Sequence, residues 1–329
     1  MKVLVTGGGG FIGLALVRRL VESGYEVSSF SRKSYTQHLE LGITSFRGDL
    51  SNPAEIEKAC EGIDTVFHVA AKVGIWGKYS DYYKTNVLGT KNVINACMKQ
   101  GVGKLIFTSS ASVIFGGSNL QDVNESVNYP KKPISHYTAT KALAEQLVLQ
   151  ANCDTLKTIS LRPHLVWGPG DTQLIPGILK RAKAGKLRKP GRRKFWIDTT
   201  YIDNFIDAQL LAIKALDDNQ ACCGKAFFIT NGRPILIWDF INFVLATAGI
   251  KPVQKTVPKN LALFIAWILE GIHLIFQLKS EPFMTRFTIH ELTTHHWFDI
   301  SMAKKMLGYT PKISLTEGLK RLQHFNPPF

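Results

Sequence analysis

The chain has 329 residues, 45% of them hydrophobic and 20% charged, a balance that excludes a disordered or fibrous protein and supplies a core that needs no staples. Its five cysteines are scattered without a CxxC pair, which argues against a zinc ribbon or disulfide scaffold and for a reducing, cytoplasmic setting. The formal charge is +15, concentrated in Lys180, Arg181, Lys183, Lys186, Arg188, Lys189, Arg192, Arg193 and Lys194. Aromatic interleaving is thin in that run, so it reads as a solvated face, or a site for an acidic substrate or membrane surface, before it reads as a nucleic-acid site.

The opening MKVLVTGGGGFIG holds a short strand, 2–6, rather than the apolar core of a secretory signal. A helix follows at 11–23, strands at 26–31, 44–47 and 65–69, and a long helix at 85–100. A strand at 104–109, a helix at 138–151 and a strand at 158–162 continue the alternation. Strands alternating with helices predict an α/β fold, a doubly wound parallel (Rossmann) sheet with right-handed crossovers, whose ligands sit at the carboxyl ends of the strands. After Pro163 the rhythm breaks. A strand at 226–229 and a helix at 238–248 stand out from a mainly helical remainder. The domain expectation is 1–165 for dinucleotide binding, with the sheet completed by about 196–230, and a discontinuous substrate lobe over 166–329.

Gly7, Gly10 and Gly13 lie between the first strand and the first helix. Glycines at this spacing let the backbone turn sharply, approach a pyrophosphate and pack helix on strand, while the helix amino terminus offers N–H groups and positive dipole. The second strand ends in Ser31-Arg32-Lys33, with no acid for a ribose hydroxyl. Two cations there suit a 2′-phosphate, so NADP is expected over NAD. Asp49 is either an adenine contact or the N-cap of the helix that opens at Pro53.

Tyr137 and Lys141 stand at i and i+4 on one helix face, and Ser110 ends the strand at 104–109. Together they can interconvert a ketone and an alcohol without a metal. Tyr137 exchanges the proton, the Lys141 cation favours its phenolate, and Ser110 polarises the substrate oxygen. Ser109 and Ser112 are alternatives to Ser110.

These features together resemble the extended short-chain dehydrogenase/reductase family. The resemblance runs along nearly the whole chain, through TGGGGFIG at 6–13, Asp49-Leu50, HVAA at 68–71, NVLGT at 86–90, TSSASV at 108–113, YTATK at 137–141, Arg162-Pro163 and WGPGD at 167–171. Within it, AKVGIWG at 71–77 and EPFMTRF at 281–287 are similar to the 3β-hydroxysteroid dehydrogenase/isomerase branch. The stretches at 162–170, 198–204 and 228–232 are similar to bacterial reductases of 2-alkyl-3-oxoalkanoates in olefin biosynthesis. The resemblance implies Ser110, Tyr137 and Lys141 as catalytic residues. It implies cofactor contacts from Gly7, Gly10, Phe11, Ile12, Gly13, Ser31, Arg32, Asp49, Leu50, Ala70, Ala71, Lys72, Tyr137, Lys141 and Pro163, and a homodimer joined through helices near 82–100 and 137–151. Two departures weaken a sugar-epimerase reading: Ile114-Phe115-Gly116 displaces the aromatic residue after the serine strand, and the acidic ribose ligand is missing.

Residues 261–278, LALFIAWILEGIHLIFQL, are read as a lid over a lipophilic pocket or a buried core helix, ahead of a peripheral membrane contact. Glu270 and His273 are expected to share its solvent face. His295 and His296 are read as structural, because no third metal ligand stands at a suggestive spacing. The functional expectation is an NADPH-dependent reduction of a β-keto group on a lipophilic acid, with a carboxylate or thioester steered by the basic run. The alternatives are a sterol 3β-hydroxy dehydrogenase/isomerase, a sugar-nucleotide epimerase, and a non-catalytic cofactor-binding or membrane-attached protein.

Overall fold

The computed structural model describes residues 1–278 and 280–325. Its centre is a seven-stranded, all-parallel sheet. In chain order its main elements are β1 (Lys2–Thr6), α1 (Phe11–Glu22), β2 (Glu26–Ser31), β3 (Thr44–Arg47), α2 (Pro53–Ala59), β4 (Thr65–His68), α3 (Gly89–Gln100), β5 (Lys104–Thr108), α4 (His136–Gln150), β6 (Lys157–Pro163), α5 (Ile202–Asp218) and β7 (Lys225–Ile229). The strands lie in the order β7-β6-β5-β4-β1-β2-β3. Val3, Leu4 and Val5 of β1 are wholly buried, as expected of a central parallel strand covered by helices on both faces. The order reverses between β1 and β4, which opens a crevice at their carboxyl ends.

The expected strands and helices form within a residue or two of their predicted ends, with one exception. The helix expected at 85–100 begins earlier, as a turn at Tyr79–Tyr82, and passes through a π-helical stretch, Tyr83–Leu88, before α3. Asn86 sits in that wide turn. It accepts from the Lys72 amide at 2.7 Å and donates to the Lys72 carbonyl and to Thr140 Oγ1, both at 3.0 Å. Local widening of this kind is a recurrent feature of functional sites, and apolar periodicity carries no signal for it.

Beyond β6 the chain leaves the sheet and returns twice. α5 packs on α1, where Arg19 meets Asp207 at 2.6 Å, and β7 adds an edge by pairing along β6. The lobe contains its own small sheet, in the order Ile235–Leu236, Trp196–Ile197, His296–Phe298, Leu120–Val123. Its last strand comes from well before Pro163, so the lobe draws on the first half of the chain as well.

Two further helices, α6 (Lys259–Ile275) and α7 (Arg286–Leu292), pack together in the lobe. α6 corrects two expectations. It is not a core helix, for only Ala262, Ala266 and Glu270 of it are buried. Glu270 does not share a solvent face with His273: its carboxylate is turned inward, accepting from the Arg286 amide at 2.7 Å and from Arg286 Nε at 2.6 Å. A buried carboxylate needs such partners, and the pairing inverts the polarity normally seen on a surface helix.

Candidate active site

The glycine turn closes on itself at the carboxyl end of β1. Gly7 has φ +73°, and a Cβ there would lie 2.9 Å from the Ala70 Cα. A Cβ on Gly13 would lie 2.1 Å from the Gly7 carbonyl oxygen, so α1 approaches β1 as closely as only glycine permits. Gly10 is different: a Cβ there would meet nothing nearer than the Gly7 oxygen at 3.4 Å. The space beyond it is left for something other than protein. Gly10 is also the N-cap of α1, with no capping side chain and no acid in the first turn. The amides of Phe11, Ile12 and Gly13 therefore remain as anion donors. This cradle fits a dinucleotide pyrophosphate.

Arg32 is exposed just after β2. Asp49 accepts from Ser51 N at 2.9 Å and Ser51 Oγ at 2.8 Å, and these bonds, with Lys84 and Arg32 nearby, hold its carboxyl below the usual range. The N-cap of α2 is Asn52, whose Oδ1 accepts from Ala54 N, so Asp49 has no capping role. Leu50 is buried in the core, its carbonyl accepting from Asn92 Nδ2 at 2.8 Å. The Ser31 hydroxyl is buried without a partner among the described residues, and Ala70 N donates to Thr6 Oγ1 at 3.2 Å. Ala71 is partly buried next to it. The Lys72 ammonium lies 3.8 Å from Asp81 and over the Tyr82 ring. Pro163 closes β6 opposite Ile229.

Ser110, Tyr137 and Lys141 converge. Ser135 caps α4 through a capping box with Thr138, which sets Tyr137 in the first turn. Tyr137 is hydrogen-bonded to Ser110, and Ser110 Oγ is 2.8 Å from Ser112 Oγ. Burial pushes the Tyr137 phenol up to about 12, opposed by the Ser110 bond. Lys141 does not lower it here. Its ammonium donates instead to the Thr108 carbonyl at 2.6 Å and sits 3.9 Å over the Phe107 ring. Lys141 is almost fully buried, and burial brings it down to about 7, opposed by Glu145. His68, below it, is held at about 3 by burial and by the Lys141 charge.

Three features of the site escaped the sequence. Glu145 continues the Tyr137–Lys141 face of α4 by another four residues and is wholly buried. Arg162 Nη2 meets it at 2.7 Å, and Ser160 Oγ at 2.7 Å. The Arg162 charge keeps its carboxyl low despite burial. The period-four spacing was the available signal. Second, His136 Nδ1 is bonded to the Gly77 carbonyl at 3.0 Å, while Tyr82 Oη donates to the carbonyls of Gly74 and Trp76. The loop at 71–77 is thus clamped to the helix that carries Tyr137, and Trp76 meets His273 of α6 edge-on. Third, His164, beside Pro163, meets His296 at 2.8 Å between Nε2 and Nδ1, and His296 Nε2 meets the Glu291 carbonyl at 2.8 Å. That carbonyl can only accept, so His296 Nε2 carries a proton and, when neutral, its Nδ1 accepts from His164. The Glu291 carboxylate lies 3.9 Å from His296 Nε2. These three residues form a potential ligand group, but the short direct bond between the imidazoles makes them a hydrogen-bonded chain. A separation of 132 residues hides that pairing from any spacing argument.

A glycine cradle at the strand-order reversal and a serine–tyrosine–lysine group one strand away define a nicotinamide-dependent short-chain oxidoreductase. The model of the 3-beta hydroxysteroid dehydrogenase/isomerase family matches residues 4–260, and the chain belongs to that family. It is 44% identical over 325 residues to the 2-alkyl-3-oxoalkanoate reductase of Stenotrophomonas maltophilia, covering 98% of each chain. It is 34% identical over 326 residues to the decarboxylating sterol-4-alpha-carboxylate 3-dehydrogenase of Homo sapiens, covering 97% of this chain and 87% of that one. Among solved structures it resembles UDP-glucuronic acid 4-epimerase from Bacillus cereus in complex with NAD, with a TM-score of 0.76, 26% identity, and coverage of 99% of this chain and 98% of the other. The protein is an oxidoreductase acting between ketone and alcohol.

Proposed function

We propose that this enzyme uses NADPH to reduce the 3-oxo group of a 2-alkyl-3-oxoalkanoate to the 3-hydroxy acid. The observation that carries the reading is the Ser110–Tyr137 hydrogen bond set against the buried Lys141. The names of the two relatives support the substrate class. A 2-alkyl-3-oxoalkanoate and a sterol 4-carboxylate oxidised at C3 share one chemical unit, a carboxylate whose α carbon is substituted and whose β carbon bears the reacting oxygen.

The bound nicotinamide supplies or accepts the hydride. Tyr137 gives its phenolic proton to the carbonyl oxygen as that oxygen becomes an alkoxide. Ser110 donates a hydrogen bond to the same oxygen. With cofactor bound, Lys141 would hold the ribose and, as a cation, stabilise the phenolate as it forms, exchanging its present bond to the Thr108 carbonyl for these contacts. Glu145, one turn on, opposes the burial that lowers the Lys141 pKa. Arg32 and Lys33 receive the 2′-phosphate. Exposed Tyr83 and Leu88 ahead of α3, with Leu143 on α4, support a homodimer joined along these helices.

The test is NADPH oxidation followed by absorbance with a 2-alkyl-3-oxo acid, beside UDP-glucose. Wild-type protein should turn over the acid, and Tyr137→Phe should lose at least about 100-fold in kcat while still binding cofactor. Turnover of the sugar nucleotide alone, or full activity in Tyr137→Phe, would overturn the proposal.

A further inference from the structure

α6 is a surface helix with its polarity reversed. Ala262, Ala266 and Glu270 repeat every four residues and form the packed face. The opposite face is a ridge of Leu261, Phe264, Ile265, Ile268, Ile272 and Ile275, all exposed, with Ile275 at 78%. Trp267, 58% exposed, stacks its ring 6.1 Å from Phe264. A helix facing water normally carries charges here, yet from Leu261 to Ile275 the only charged side chain is Glu270, and Arg286 holds it inside.

What surrounds the ridge is basic. Residues 180–194 and 251–275 contain twelve lysines and arginines and one acid, the inward Glu270. The two segments are joined, for Lys189–Pro190 pairs with Thr256–Val257 immediately before α6. The Lys186 ammonium stands 5.5 Å from the centre of the exposed Phe283 ring. Arg192, Arg193, Lys194, Lys251 and Lys255 are exposed nearby in sequence. Seventeen residues make a helix of about 25 Å, and no helix among the described residues is long and apolar enough to cross a bilayer. A second copy of the chain docking here would oppose two basic rims, and the ridge offers almost no polar groups for a hydrogen-bonded protein interface.

We propose that α6 and its basic rim seat this enzyme on an anionic lipid surface. The helix lies in the membrane plane with its ridge at the acyl boundary, and the lysines and arginines lie over the headgroups. This docking is independent of the proposed substrate and is read without turnover.

The experiment is flotation of the full chain with phosphatidylcholine vesicles, with and without phosphatidylglycerol, at low and high salt. Wild type should float with the anionic vesicles and be released by salt. Phe264→Asp/Ile268→Asp, checked for folding by its thermal melt, should partition at least about tenfold less. Arg192→Gln/Lys194→Gln/Lys251→Gln, which leaves the ridge intact, should lose affinity by a similar factor. Both variants should reduce a short-chain substrate at the wild-type rate. Failure of wild type to float, equal binding to neutral vesicles, or unimpaired flotation of either variant would overturn the proposal. So would light scattering showing that the ridge substitutions merely dissociate an oligomer.

Discussion

Lys141 is costly to the fold, and replacing it should stabilise the protein as it disables it. Its side chain is 2% exposed, and burial lowers its pKa from 10.5 to about 7. Below pH 7 the lysine is charged in both folded and unfolded chains, and the folded state bears the full penalty. Between pH 7 and 10.5 the unfolded chain binds more protons, so stability from this group rises with pH; above that range the penalty is gone. A shift of that size corresponds to roughly 3–5 kcal/mol. Lys141→Met removes the charge but strands the Thr108 carbonyl, which costs about 1–3 kcal/mol. The net expectation below pH 7 is a gain of about 2 kcal/mol, or several degrees in Tm. That gain should shrink and change sign toward pH 10.5, and turnover should be lost throughout. The assay is a thermal melt of cofactor-free wild type and variant across pH 6–11. A variant less stable than wild type at pH 6 would refute the reasoning.

The remaining predictions concern the cofactor and the core. Arg32→Glu should raise the Kd for NADPH by at least about tenfold, or ~1.4 kcal/mol, and leave NADH nearly unchanged, as titration of protein fluorescence would report. Gly13→Ala forces a Cβ to 2.1 Å from the Gly7 oxygen, so it should both lower Tm and abolish binding of either nucleotide. Arg162→Met leaves Glu145 charged and unpaired in the core and should cost about 3–5 kcal/mol in a denaturant titration. Arg162→Met/Glu145→Leu should recover most of that loss, and if it does not, the pair holds the fold by something other than charge.

What the sequence made legible was whatever is local and periodic. β2 and β3 begin and end at their predicted residues, since turn glycines such as Gly24 and Gly42, both at positive φ, fix where each can start. Gly7, Gly10 and Gly13 were readable because their spacing has one mechanical use, and Tyr137, Lys141 and Ser110 because they fall at a helix start and a strand end. What stayed hidden depends on pairing across the fold. Asn52, not Asp49, caps α2, a choice between neighbours that only backbone angles decide. Arg162 looks like one more base until Glu145 meets it from α4. His164 and His296 come together only when the lobe folds back on β6. Glu270 reads as solvent-facing because its partner, Arg286, is on another helix. In each case a polar group was misread or passed over because its compensating partner is distant.

β7 has a consequence for biosynthesis. It is the last strand of the sheet to be made, and it pairs along the whole of β6, from Lys225 opposite Ile159 to Ile229 opposite Pro163. More than sixty residues separate the two strands in the chain. During synthesis β6 must therefore stand for several seconds as an open, apolar edge, at elongation rates of about 5–20 residues per second. Nascent chains stalled in this interval would be recruits for chaperones or for one another. A fragment ending near Pro163 keeps every candidate catalytic side chain, yet it should precipitate where the intact polypeptide stays dispersed.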